Sequence, residues 1–187
     1  MVEKEKYKHK YRIKSARLQS WDYRWSGAYF ITICTQDNIQ FFGEVIDGEM
    51  CLSHVGVIAD VFWYEIRNHA KNVQLGNFVV MPNHVHGILI INQDVKTDLT
   101  YSNPDNKTMA SISPKQGSVS STIRSYKSAV TRHARRLGYE FSWQPRFHDH
   151  IIRNENSFNQ IVDYINTNPK RWKEDKFYVG KNETVET

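Results

Sequence analysis

Apolar residues recur along this chain with two periods, and the changes between them predict its elements. Residues 28–35, Ala-Tyr-Phe-Ile-Thr-Ile-Cys-Thr, are rich in β-branched and aromatic side chains and read as a strand, with 36–39 as the turn behind it. Stretches 41–46 and 49–52 flank Asp47-Gly48, a pair suited to the backbone of a tight hairpin turn. Ser53 is placed to cap a helix running to about His69, with Val55, Ile58, Ala59, Phe62 and Ile66 along one stripe. That stripe requires a sheet to pack on, and 77–81 and 85–91 supply two more strands. Residues 92–116 are polar and carry Pro104 and Pro114, which predicts a long flexible loop or insertion. A second helix is expected over 118–137, with Val119, Ile123, Tyr126, Val130 and Leu137 on its inner side. After Gly138, residues 140–153 read as an irregular segment running into a strand. In the last helix Phe158, Ile161, Val162 and Ile165 form the stripe, and Pro169 ends it at about Asn168.

Composition adds bounds to this pattern. With 187 residues, of which 40% are hydrophobic and 13% aromatic, the chain can bury the core of one domain. No apolar run reaches the roughly 20 residues that span a bilayer, and the basic, Tyr-rich start lacks the apolar region of a signal peptide. A cytoplasmic protein without membrane contact is therefore expected. Cys34 and Cys51 have neither metal nor redox spacing and are given no role.

Charge is distributed unevenly. Residues 1–25 hold eight Lys and Arg against three acids, so the whole net charge of +5 falls in one arm. From Lys4 to Lys14 every even position is basic, with Tyr7, His9, Tyr11 and Ile13 between. Extended, such a ribbon has a cationic edge and a mainly aromatic edge, which suits a nucleic-acid backbone with exposed bases; a solvated tail is the plain alternative. On the second helix Arg124, Lys127, Thr131 and Arg135 recur along one side, as phosphate contacts or as an ordinary solvated face.

Candidate chemistry centres on 79–91, where His84 and His86 stand one residue apart inside an apolar strand and so share a face. A buried imidazole without a partner costs about 1–3 kcal/mol, and a metal ion is one partner that satisfies two of them. Exposure on an edge strand is the other solution, and the spacing alone favours it. His148 and His150 repeat the spacing and form a rival pair. Tyr164 and Asn168 lie one helical turn apart, within about 40° of each other around the axis, and can reach the same point on a sheet. Such a phenol and amide could serve a reaction centre; a boundary tyrosine with a helix-capping asparagine is the common alternative.

The ordered set is more specific than its parts. Met81-Pro82-Asn83-His84-Val85-His86-Gly87, then Phe147-His148-Asp149-His150-Ile151-Ile152-Arg153, then Ile161-Val162-Asp163-Tyr164-Ile165-Asn166-Thr167-Asn168-Pro169 resembles the REP-associated tyrosine transposases. These are single-tyrosine members of the HUH superfamily, named for His, a hydrophobic residue and His. The segment Arg17-Leu-Gln-Ser-Trp-Asp-Tyr-Arg24, leading into Gly27-Ala-Tyr-Phe-Ile-Thr32, is also similar to theirs, and the similarity runs from about Arg17 to Trp172.

The resemblance implies an α+β fold, a ferredoxin-like antiparallel sheet packed with α-helices. It implies His84 and His86 as metal ligands, Asn168 as the third ligand and Tyr164 as the nucleophile, with Mg²⁺ or Mn²⁺ as cofactor. His148 and His150 fall outside that motif. The implied activity is nicking and joining of single-stranded DNA at hairpin-flanked sites, such as REP hairpins, through a 5′-phosphotyrosine intermediate, by a monomer or homodimer associated with the nucleoid. Expected DNA contacts are Lys8, Lys10, Arg12, Lys14, Arg17 and Arg24 in an arm of residues 1–26, and Arg124 and Lys127 on the second helix. The transposase domain is expected over 27–172, interrupted by the 92–116 loop and followed by a tail over 173–187. A catalytically inactive DNA-binding protein of the same fold is the alternative. A metal-dependent hydrolase would need a carboxylate near His84, and the motif contains none.

Overall fold

The computed structural model describes residues 24–92 and 116–180. The arm positions Lys8, Lys10, Arg12, Lys14 and Arg17, and most of the 92–116 loop, lie outside the described residues. The expected elements form in the expected order. Strand β1 (Gly27–Cys34) leads through a 3-10 turn (Gln36–Asn38) to the hairpin β2 (Gly43–Ile46) and β3 (Glu49–Leu52). Its turn places Asp47 at φ 51 and Gly48 at φ 80, the left-handed backbone that this dipeptide accommodates. Helix α1 (His54–His69) starts where Ser53 accepts a hydrogen bond from the Gly56 N–H. Then follow β4 (Val73–Met81), β5 (His84–Ile91), α2 (Val119–Arg136), β6 (His148–Ile152) and α3 (Glu155–Thr167). Strand β4 begins four residues before the predicted start of 77, because Gln74 and Leu75 also pair with β5, across an irregularity at Gly76 and Asn77.

The sheet order is β4-β5-β1-β6, antiparallel throughout. Counting its strands along the chain, the second, third, first and fourth lie side by side, linked as β1-α1-β4-β5-α2-β6, which is the ferredoxin-like topology. Alternation divides each strand between two faces. Tyr29, Ile31 and Ile33 of β1 and Val85 and Leu89 of β5 enter the main core with α1 and α2, all fully buried. Each such side chain contributes roughly 1.5–3 kcal/mol. Gly87 belongs to this face: a Cβ there would overlap the Trp63 ring of α1, so only glycine lets the helix approach beneath the histidines. On the opposite face Ile88, Ile152 and Ile165 form a smaller cluster with Phe158, Ile161 and Val162 of α3.

Two details of the stripes differ from expectation. Trp63, absent from the predicted α1 stripe, is fully buried in its centre between Phe78 and Tyr126. Leu137, predicted to be on the inner side of α2, is 64% exposed. It occupies the C-cap position, where Gly138 at φ 83 turns the chain back and the Tyr139 N–H reaches the Ala134 carbonyl. Ala134 is therefore the last residue of α2 to enter the core. No helix among the described residues is long and apolar enough to cross a membrane.

Candidate active site

His84 and His86 open β5, a central strand, and both are buried beneath α3 and the segment that follows it. The residue before them fixes how the first is used. Asn83, fully buried, donates from Nδ2 to the Asn38 carbonyl at 3.1 Å and the Phe177 carbonyl at 2.8 Å. Carbonyls only accept, so the amide nitrogen must face them and Oδ1 must face the His84 Nδ1, 2.9 Å away. Nδ1 then carries the proton, and Nε2 presents a lone pair. That atom is buried without a hydrogen-bond partner among the described residues, as is the Asn168 Oδ1. Paired orphan acceptors at one site are what a cation would satisfy.

Tyr164 and Asn168 arrive from the end of α3, as the helical spacing predicts. The Tyr164 hydroxyl lies 3.2 Å from His86 Nε2 and donates to Asp175 Oδ2 at 2.9 Å. Asn168 donates from Nδ2 to the same oxygen at 2.9 Å. His86 is held from its other side by the Thr32 hydroxyl, 2.9 Å from Nδ1, and stacks on Phe30 with ring centres 5.1 Å apart. The structure thus brings His84, His86, Tyr164 and Asn168 together.

Asp175 is the residue that sequence reasoning missed. After Pro169 a 3-10 turn (Pro169–Glu174) brings the chain back over the site; Asp175 caps it with its N–H donating to the Trp172 carbonyl, and its Oδ1 accepts from the Phe177 N–H at 2.7 Å. The ligand atoms of His84, His86 and Asp175 all lie within 4.8 Å of one another, the one such cluster among the described residues, and could hold a metal ion. A carboxylate does stand near His84, from outside the motif, in a segment that the sequence reading left to the tail. No local signal in the sequence marks it, since it follows a turn with no apolar period.

Electrostatics match that use. Burial, with the nearby Lys176 charge, pushes the His84 imidazole down to about 3. Burial and then His84 lower His86 as well, so both rings are neutral at physiological pH, the form that binds metal. Burial, then the hydrogen bond to Asp175 and its charge, hold the Tyr164 phenol well above its ordinary value and therefore protonated.

The other candidate residues are placed apart from this centre. His148 and His150 are exposed on β6. Arg24 and Arg124 are exposed, whereas the Lys127 ammonium is tied to the Gln144 and Arg146 carbonyls and lowered to about 8 by burial.

The sequence matches no protein-family profile. A protein of Haemophilus influenzae described as uncharacterized is 37% identical over 170 residues, covering 89% of this chain and 93% of the relative. Among solved structures, the REP-associated tyrosine transposase bound to a REP hairpin superposes with a TM-score of 0.57 at 21% identity. The match covers 88% of this chain and 77% of that one. The chain therefore belongs to one family with the Haemophilus influenzae protein, and its α+β architecture is the fold of the REP-associated tyrosine transposase.

Proposed function

We propose that the protein is a metal-dependent tyrosine transposase that nicks and rejoins single-stranded DNA beside a hairpin, with Tyr164 as nucleophile. The observation that carries this reading is the Tyr164 hydroxyl, held within hydrogen-bond distance of both His86 and Asp175 beside two orphaned acceptors. A REP hairpin bound to a structure of the same fold supports the substrate class.

His84, His86 and Asp175, joined by the Asn168 Oδ1, would hold Mg²⁺ or Mn²⁺. A divalent cation there would offset the Asp175 charge and draw charge from the scissile phosphate. In the reaction, the Tyr164 oxygen bonds to phosphorus as the P–O3′ bond breaks. Its proton passes to Asp175 Oδ2, already in line as acceptor, and the departing 3′ oxygen takes a proton from solvent to end as a hydroxyl. The 5′-phosphotyrosine bond retains the energy of the phosphodiester, so the 3′-OH of a second strand can displace Tyr164 and restore its proton. Asn168 and Asp175 orient the phenol, and α3 with the Pro169–Glu174 turn screens it from water.

Incubation with single-stranded hairpins and Mn²⁺ should give a covalent protein–DNA adduct on a denaturing gel, and Tyr164→Phe should abolish it while DNA affinity is nearly unchanged. An adduct that persists in the variant moves the nucleophile elsewhere. Asp175 also supports a second reading, hydrolysis by an activated water. That reading predicts cut DNA bearing a free 5′-phosphate and no adduct.

A further inference from the structure

The second His-x-His pair has no part in the reaction centre, yet it lies on the same face of the sheet. In β6 His148 pairs with Thr32 and His150 with Phe30, and these residues of β1 pair in turn with His86 and Ile88 of β5. Cross-strand partners point to one side, so a row runs His86, Thr32, His148 from the reaction centre to the edge of the sheet. A second row, Ile88, Phe30, His150, runs beside it. With strands about 4.8 Å apart, His148 stands roughly 10 Å from His86. Phe30 joins the rows to the nucleophile, its ring 5.1 Å from that of His86 and 6.1 Å, edge-on, from that of Tyr164.

The histidines at the edge are not core, because both are exposed. No third metal-ligating side chain joins them in a cluster among the described residues. Their surroundings suggest a use. The segment that leads into β6 is anchored by the Lys127 ammonium, and a groove of about 500 Å³ opens there along α2. It is lined by Lys127, Ser128, Thr131, Arg132, Arg135 and Trp143, with three basic residues and no acid.

We propose that His148, His150 and Phe30 form a shelf for the single-stranded DNA next to the scissile phosphate, with the strand continuing around the β6 edge toward the cationic groove on α2, which lies on the other face of the sheet. The inference rests on the function proposed above and names the path of its substrate. An imidazole N–H can donate to a phosphate oxygen, and a ring face at the edge of the site can stack an unpaired base. A duplex keeps its bases stacked and would leave these rings unused. The continuous row from His86 to His148 and the charge of the groove argue for nucleic acid as the occupant.

Fluorescence anisotropy with a short single-stranded oligonucleotide, in chelator so that no chemistry intervenes, reads binding apart from cleavage, and the difference between variant and wild type reads the shelf. The double variant His148→Ala, His150→Ala is expected to weaken binding about five-fold or more, within the range of one lost base stack. His148→Glu should weaken it further and His148→Lys should restore it, since a phosphate contact answers to the sign of charge, whereas a structural role on an edge strand would not. Equal affinity of the Glu and Lys variants, with unchanged melting temperatures, would overturn the proposal. Wild-type protein that bound DNA but formed no adduct on any hairpin would sink the transposase reading, while the anisotropy series would still decide the shelf.

Discussion

The two His-x-His pairs share spacing, strand geometry and sheet face, and the fold treats them in opposite ways. His84 and His86 lie in β5, between β4 and β1, under α3 and the turn that follows it, with 0% and 1% of their surface exposed. His148 and His150 lie in β6, at the edge, where no further strand pairs among the described residues. Each central ring has a second group that fixes its orientation, Asn83 for His84 and Thr32 for His86. Spacing states only that two rings share a side. Burial, with the His84 tautomer fixed by Asn83, leaves that side able to serve as a ligand set, and both come from position in the fold.

The largest effects should come from exchanging the fates of the pairs. His84→Ala and His86→Ala should each abolish the covalent adduct and reduce Mn²⁺ binding, measured by titration calorimetry, beyond detection. His148→Ala and His150→Ala should leave Mn²⁺ affinity intact. Asn168→Ala should be intermediate, because a neutral amide contributes less to a divalent ion than an imidazole does and water can replace it. Calorimetry that found binding lost in His148→Ala and kept in His84→Ala would place the site on β6 and remove the main support for Tyr164.

The elements that carry the first pair were legible before the structure; the contrast between the pairs was not. The apolar run 85–91 and the turn chemistry of Pro82-Asn83 located β5, and the helical spacing of Tyr164 and Asn168 put both on one flank of the last helix. What was not legible came from groups distant in sequence. Asp175 follows a proline-initiated turn with no apolar period, so nothing local tells where its carboxylate points. Thr32 reads as an ordinary strand residue until the register sets it opposite His86. Asn83 reads as a turn former, and its role for His84 depends on the Asn38 and Phe177 carbonyls, 45 and 94 residues away. Sheet order, which separates the two pairs, is a property of the whole topology.

Acid should expose the contrast in a second way. An unfolded histidine binds a proton near pH 6.5, whereas His84 in the fold does so only at about 3. Between these values the unfolded state holds more protons, so stability is full above about pH 6.5 and falls as the pH drops toward 3. His86 shifts in the same direction. For His84 alone the loss at about pH 5 is on the order of 2 kcal/mol. Urea unfolding of metal-free protein at about pH 7 and about pH 5 should show it, and His84→Gln should lose less over that interval. A variant as acid-sensitive as the wild type would mean that His84 is not held neutral by burial.

The smallest expected effect is the change in stability on trimming the edge pair. His148 and His150 are exposed, so truncating either leaves no buried cavity and strands no buried polar group. Urea midpoints for His148→Ala and His150→Ala at about pH 7 should therefore correspond to changes within about 0.5 kcal/mol of wild type. The same truncation at His84 leaves Asn83 Oδ1 without its donor in the buried site, a penalty of about 1–3 kcal/mol before any cavity term. Because the variants share one residue type, one spacing and one sheet face, the difference between them isolates burial. A loss at His148 as large as that at His84 would mean that β6 is covered in solution, and the shelf would then have no room for DNA.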